Sequence, residues 1–166
     1  MRLRALPEDG VDLDLIDLGF DTFEAGLLAV ARYFFLTHAA PARQAWHTGF
    51  AVAVERWGPD IGLPAAHAVA KLVRAVYDVR SDFGFHDPFG IEARTRVTSD
   101  EAMMMRMLHH MRRDETPDAR DAVEVLTRGG MDPHVIRAGL TLSARFGGGV
   151  PEQRHAGRRP KLRVVS

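Results

Sequence analysis

Apolar residues recur at helical spacing through most of the chain, and proline, glycine and capping residues mark the breaks between these stretches. The clearest start is the sequence Thr98-Ser-Asp-Glu101, a capping box whose side chains satisfy free amides of a first helical turn. The pattern predicts helices over about 22–37, 41–57, 64–80, 98–113, 116–129 and 132–146. We therefore predict an all-α, single-domain bundle of five to six helices.

The two ends of the chain depart from this pattern. Residues 11–18 alternate apolar and acidic side chains, which is the pattern of a half-buried strand. The only other strand that the sequence predicts is a short one within 91–97. We expect no partner for the first strand and therefore an extended N-terminal arm packed on the helices. Three glycines at 147–149 form a hinge. The predicted domains are a helical domain over 1–149 and a flexible basic tail over 150–166.

Composition and charge narrow the function. The 166 residues are 46% apolar with zero formal net charge, so a real core can form and nothing attracts the whole chain to nucleic acid or membrane. Seven acidic side chains stand against two arginines in residues 1–24, and six basic ones against one glutamate in residues 145–166. Such polarised ends are typical of interaction segments. The absence of cysteine excludes disulfides and thiolate chemistry.

The segment around the fifth and sixth helices, residues 126–140, resembles the turn and second helix of a helix-turn-helix motif. Gly130 matches the turn, Asp132 caps the next helix, and Ile136 and Leu140 match the inward positions. The alternative is an ordinary helical hairpin with a glycine turn.

The resemblance implies a DNA-binding function. In the motif, side chains near the start of the second helix reach base edges in the major groove, and here these would include His134 and Arg137. Basic arms also bind phosphates without sequence preference. The candidate tail residues for such contacts are Arg158, Arg159, Lys161 and Arg163.

A methionine-rich helix and an aromatic loop point instead to protein binding. Five of the seven methionines lie within residues 103–111, and those that form a regular stripe indicate a core face. Met103 and Met105 lie off that stripe, and flexible methionines suit adaptable partner surfaces. Phe85 and Phe89, in the long irregular stretch 81–97, would add anchor area.

The eight histidines raise the question of a metal or catalytic site. His109 and His110 are adjacent, so on a helix they diverge by about 100°, and we expect them not to share an ion. Two other pairings could line a histidine-containing pocket, His86 with Asp87 and His38 with His47. No His-x-x-x-His or Glu-x-x-His spacing occurs on a predicted helix, and the sequence contains no Gly-x-Ser-x-Gly motif, phosphate-binding loop or dinucleotide fingerprint after a strand. We predict no catalytic residue, metal or cofactor.

The leading hypothesis is a non-enzymatic regulatory or adaptor protein that binds another protein or a second copy of itself. The alternative is a DNA-binding regulator that uses residues 117–146 and the basic tail, and an enzyme with a histidine-containing site is a third hypothesis. The N-terminus turns acidic where a signal peptide needs an apolar core, and the apolar stretches are too short to span a bilayer. We therefore expect a cytoplasmic protein without a membrane partner. The preference for arginine over lysine suggests a high-GC bacterial origin.

Overall fold

The computed structural model describes residues 12–148. Six α-helices lie within that range, with almost no strand, so the predicted all-α fold is confirmed. The helices are α1 (Thr22–Ala39), α2 (Trp46–Trp57), α3 (Pro59–Val79), α4 (Ser99–Arg112), α5 (Thr116–Leu126) and α6 (Pro133–Arg145). Between residues 12 and 148, none of the helices is long and apolar enough to cross a membrane.

Helix α1 lies in the middle of the bundle because it is apolar on nearly every side. It packs on α2, α3 and α4, while α6 packs across α3 and α4, and α5 packs on α4. Asp21 caps α1 and forms a capping box with Glu24, which confirms the predicted cap. The core is therefore continuous from α2 through α1 to α5.

The second and third helices begin elsewhere than predicted. Gln44 adopts a left-handed conformation (φ 48°) after a 3₁₀ turn over Pro41–Arg43, so α2 begins only at Trp46. Helix α3 begins at Pro59, where a proline fits a first helical turn, and the predicted start at Pro64 lies inside the helix.

The N-terminal segment does have a partner strand, contrary to the prediction. Strand β1 (Leu13–Asp14) pairs antiparallel with β2 (Arg96–Val97), and Leu13 lies opposite Val97. The backbone N–H of Leu15 adds a 2.8 Å hydrogen bond to the carbonyl of Thr95. The strand predicted within 91–97 is only two residues long, and a 3₁₀ turn over Ile91–Arg94 precedes it. Residues 1–11 of the predicted arm and the whole predicted tail, 150–166, lie outside the described residues.

The predicted exposed methionines are in the core. Met103 is 6% exposed and Met105 is 0% exposed, so neither can form part of a surface for a partner in this fold. The reason is that α4 is covered by α1, α5 and α6 together. A helix that is covered on several sides buries residues beyond its regular apolar stripe. The assignment of Met103 and Met105 to a partner-binding surface is corrected accordingly.

Candidate functional site

A cleft of about 640 Å³ lies between α1, α2 and the segment 88–94. We call it the α1–α2 cleft. Its walls combine small and apolar residues with three arginines and one glutamate, a mixture typical of binding sites. The lining residues are Leu15, Ala25, Leu28, Ala29, Arg32, Tyr33, Val52, Glu55, Arg56, Pro88, Ala93 and Arg94.

Arg32 lies at the base of the α1–α2 cleft and is buried. Its Nε donates to Glu101 Oε1 at 2.7 Å, and its Nη2 donates to Glu101 Oε2 at 2.9 Å. The same guanidinium also donates to the backbone carbonyls of Ala93 and Arg96. Arg32 therefore fixes the segment that forms one wall of the cleft.

Glu101, the partner of Arg32, is itself fully buried in the first turn of α4. It closes the predicted capping box by accepting the backbone N–H of Thr98, and it also accepts the N–H of His86 at 3.1 Å. One carboxylate thus holds His86, within the irregular stretch 81–97, and Thr98, which follows that stretch, at the start of α4.

Three exposed apolar residues are close in sequence to residues that line the α1–α2 cleft. Ile16 is 90% exposed, Ile91 is 86% exposed and Phe89 is 54% exposed, and each is within two residues of a residue that lines the cleft. The ring of Phe89 makes an edge contact with Tyr33 at 5.4 Å between centroids, and the guanidinium of Arg43 lies 5.0 Å from its centre. These two contacts fix the exposed ring of Phe89 in place.

The loop tip that carries Phe89 is held by Asp87. The carboxylate accepts the backbone N–H of Phe89 at 2.9 Å and pairs with Arg43 at 3.3 Å. These interactions hold the pKa of Asp87 below its usual value, with the backbone hydrogen bond from Phe89 as the main cause. Asp87 is therefore committed to the loop and does not pair with His86 as the sequence suggested.

The predicted partner-binding phenylalanines divide between the surface and the core. Phe89 lies at the edge of the cleft, whereas Phe85 is half-buried and stacks on Phe35 at 5.5 Å between ring centres. Ile16 and Ile91 were missed, because Ile16 lies out of phase with the alternation of residues 11–18 and Ile91 lies in the irregular stretch 81–97. Arg32 was missed because a lone arginine in an apolar helix does not reveal its partner.

The helix pair α5 and α6 departs from the helix-turn-helix geometry. The buried residues of α6 are Val135, Gly139, Leu142 and Ser143, whereas Leu140 is 51% exposed. The inward position predicted for Leu140 is therefore wrong, while Ile136 is half-buried and does pack against the core. The reason is that α6 packs on α3 and α4 and turns a different face inward.

His134 and Arg137 are both exposed, as a DNA contact would require. They line a groove of about 380 Å³ that also contains Lys71 and Arg74 of α3. Asp78 pairs with Arg74 at 3.0 Å on the same surface. We call this the α3–α6 groove. The four tail residues that the sequence assigned to phosphate contacts, 158, 159, 161 and 163, lie outside the described residues.

The two pairs that the sequence suggested for a histidine-containing pocket, His86 with Asp87 and His38 with His47, do not form. His86 bonds Asp12 at 2.9 Å, across the small sheet. The ring of His38 stacks on Tyr77 with 4.9 Å between ring centres, and the ring of His47 stacks on Trp46 with 3.5 Å between ring centres. Each histidine is therefore held by a different aromatic residue. Burial lowers the pKa of His38, and the nearby charge of an arginine lowers it further.

Two other groups of side chains have the composition of a metal site. Asp12, His86 and Glu92 form one group, and His109, His110 and Glu115 form the other; in each, the candidate ligand atoms lie within 4.8 Å of one another. The rings of His109 and His110 nevertheless approach to 5.3 Å between their centres, although the two residues are adjacent on α4. The 100° step describes where the side chains leave the helix, and rotation of the side chains brings the rings together.

The second group adjoins a network of charges at the start of α1. Glu24 is fully buried and accepts hydrogen bonds from Arg112 and Arg113, both at 2.6 Å, and pairs with His109 at 3.0 Å. Burial alone raises the pKa of Glu24, but the hydrogen bonds from His109, Arg113 and the backbone of Asp21 outweigh it, so the pKa lies below its usual value.

Comparison of the chain with protein-family models, with curated proteins and with solved structures finds no match. The functional argument therefore depends on the geometry of the sites themselves.

Proposed function

We propose that this chain is a non-enzymatic regulatory or adaptor protein that binds a segment of another protein in the α1–α2 cleft. The observation that carries the proposal is the cleft of about 640 Å³ beside the exposed ring of Phe89, which contacts the lining residue Tyr33, with the exposed Ile16 and Ile91 close by in the sequence. Exposed apolar side chains grouped around a concavity are typical of protein-binding surfaces. Aromatic anchors beside such a concavity carry most of the binding energy in many interfaces.

The charges of the cleft indicate the kind of segment that it accepts. Arg56 and Arg94 are exposed and line the cleft together with Glu55, while the charge of Arg32 is neutralised by Glu101. The exposed part of the cleft is therefore positive on balance. A segment with apolar side chains flanked by acidic residues would complement it, since opposite charges orient the encounter and favour the correct partner.

The proposal is tested with the double variant Phe89→Ala, Ile91→Ala. Full-length wild-type protein, used as bait in an extract of its host, should recover a stoichiometric partner that the double variant loses. With the purified partner, the variant should raise the dissociation constant at least about tenfold, because truncating an anchor commonly removes more than about 1.4 kcal/mol.

The matched control is Val125→Ala, which truncates an apolar side chain of similar exposure on α5 and should leave binding unchanged. Circular dichroism verifies that all variants are folded. Recovery of no stoichiometric partner, or equal loss in the double variant and the control, would contradict the proposal. Light scattering of the wild type shows whether the partner is a second copy of the chain.

DNA binding is the second candidate function, and the α3–α6 groove is the observation that favours it. Lys71, Arg74 and Arg137 place three cations beside His134, and only Asp78 opposes them among the residues that line this groove. Cations that neutralise phosphates release counterions, so binding weakens steeply as salt rises. The cations of the groove would bind the phosphate backbone. Reading the bases would require further residues on the α6 surface in addition to His134 and Arg137.

Fluorescence anisotropy on random duplex DNA distinguishes the groove from the tail. The full-length double variant Lys71→Ala, Arg137→Ala should bind more weakly and with a shallower salt dependence than wild type. A variant with alanine at the four tail positions 158, 159, 161 and 163 is the matched comparison. Binding that is lost only in the tail variant assigns the effect to the tail, and absence of binding in the wild type removes this candidate.

A further inference from the structure

Three potential metal ligands meet at the end of α4. His109 and His110 lie in its last turns, and Glu115 lies just beyond it, before α5 begins. Asp114 adopts a left-handed conformation (φ 56°), so the chain turns back and the N–H of Glu115 bonds the carbonyl of His110 at 3.0 Å. This turn places the Glu115 carboxylate 2.6 Å from His110 Nδ1.

The orientation of His109 is fixed by Glu24. The Glu24 carboxylate accepts hydrogen bonds from two arginines and from the backbone N–H of Asp21, and its Oε2 lies 3.0 Å from His109 Nδ1. A carboxylate held in this way can only accept, so Nδ1 of His109 donates to it and Nε2 is the nitrogen left to bind an ion. Histidines that bind metals have this arrangement, with a carboxylate on the nitrogen that does not bind the metal.

The electrostatic surroundings favour a cation. Asp21 and Glu24 are opposed by Arg112 and Arg113, with which they pair. In the adjoining cleft, Asp114 and Glu115 are opposed by Arg120, which leaves one net negative charge. The site also lies at the carboxyl end of α4, where the helix dipole is negative.

We propose that His109, His110 and Glu115 bind one divalent transition-metal ion of the zinc class. Two imidazoles and one carboxylate form a common protein ligand set for zinc and leave one position for water or an exogenous ligand. Magnesium and calcium are not favoured, because they prefer oxygen ligands.

The fourth position has room. His110 and Glu115 border a cleft of about 250 Å³ between α5 and α6, whose walls include Met111, Ile136 and Leu140. Ligand atoms around a tetrahedral ion with bonds of about 2.0–2.1 Å lie roughly 3.3 Å apart. The 2.6 Å contact between His110 and Glu115 must therefore open slightly, and the wider separations, all within 4.8 Å, must close. The partly exposed side chains of His110 and Glu115 can make this adjustment by rotation.

The group Asp12, His86 and Glu92 is the weaker candidate. It contains one imidazole, and Asp12 is within 3.9 Å of the guanidinium of Arg96, which competes with an ion for the carboxylate. The group of Asp12, His86 and Glu92 therefore provides an internal control for the proposed site.

The experiment titrates ZnCl₂ into tag-free, full-length protein by isothermal calorimetry, and the bound zinc is counted after dialysis. The wild type should bind one zinc per chain with micromolar or tighter affinity. His110→Ala and Glu115→Gln should each weaken binding at least about tenfold, since each removes a ligand. His86→Ala and His67→Ala should bind zinc as the wild type does.

Cobalt provides a second readout. Co²⁺ at the site should give the intense visible absorption of a four-coordinate ion, and His110→Ala should remove it. Circular dichroism verifies that the variants are folded. The proposal is overturned if the wild type binds no zinc, if His110→Ala and Glu115→Gln both bind it normally, or if His86→Ala is the variant that loses it.

Discussion

Arg32 and Glu101 form a fully buried ion pair that joins the middle of α1 to the first turn of α4. The opposite ends of the two helices are joined in the same way, since Glu24 in the first turn of α1 pairs with Arg112 at the end of α4. Each glutamate closes the capping box of its own helix and also binds an arginine of the other. The same carboxylates therefore define where α1 and α4 begin and how they pack.

The first prediction concerns the cost of breaking the buried pair. Glu101→Gln leaves the guanidinium of Arg32 buried without its counter-charge, so the free energy of unfolding should fall by about 3–5 kcal/mol. Urea unfolding followed by circular dichroism measures it. The control is Asp78→Asn, which breaks the exposed pair with Arg74 and should cost about 0.2–1 kcal/mol. Equal costs for the two variants would show that the buried pair does not act as described.

The second prediction concerns acid stability through Asp82. Hydrogen bonds from Arg128 and Arg80 lower the pKa of Asp82 from 3.8 to about 2. Because the folded-state pKa is the lower one, the ionised carboxylate stabilises the fold fully above about pH 3.8, and this stabilisation is lost as pH falls through about 2.

The variant Asp82→Asn isolates that effect. The difference in urea midpoint between wild type and Asp82→Asn should be constant from pH 6 to about pH 4 and should close as the pH approaches 2. In the background of Arg128→Ala, which removes one partner, the difference should be smaller. A difference that grows with falling pH would contradict the assignment.

The positions of the helices could largely be predicted from the sequence, since local chemistry decides them. Thr98 and Asp132 cap α4 and α6 as expected. The pairing of β1 with β2 could not be predicted, because it joins residues more than eighty positions apart and involves only two residues of each strand.

The candidate sites were less accessible to sequence analysis because they depend on how helices pack. Met105 lies off the regular apolar stripe, and only the packing of neighbouring helices on α4 shows that it is buried. Phe89 could be identified from its place in an irregular aromatic segment. The approach of His109 to His110 depends on side-chain rotation and on Glu24, which precedes His109 by 85 positions.

The third prediction separates the core role of Met105 from the surface role of Phe89. Met105→Ala should lower the free energy of unfolding by about 2–5 kcal/mol, because it removes a fully buried side chain and leaves a cavity. Phe89→Ala should cost far less, since the ring is partly exposed. Thermal and urea unfolding measure both. If Met105→Ala were as stable as Phe89→Ala, the burial of this face of α4 would be incorrect.

The fourth prediction compares two glycines within helices. At Gly62, an added Cβ would lie 2.4 Å from the backbone oxygen of Ala53, so Gly62→Ala must push α2 and α3 apart. At Gly139, the added Cβ would lie 2.8 Å from the sulfur of Met111, a flexible side chain that can move aside.

Alanine also favours a helix interior over glycine by about 1 kcal/mol, which offsets part of the steric cost at both positions. Gly62→Ala should therefore lower the free energy of unfolding by about 1–3 kcal/mol or more, because the opposing atoms belong to the backbone. Gly139→Ala should change it by less than about 1 kcal/mol, because the methionine end can repack. Urea unfolding of both variants measures the difference. The prediction is contradicted if Gly139→Ala lowers the free energy of unfolding more than Gly62→Ala does. That result would mean that the Met111 side chain cannot move aside and that α6 packs rigidly on α4.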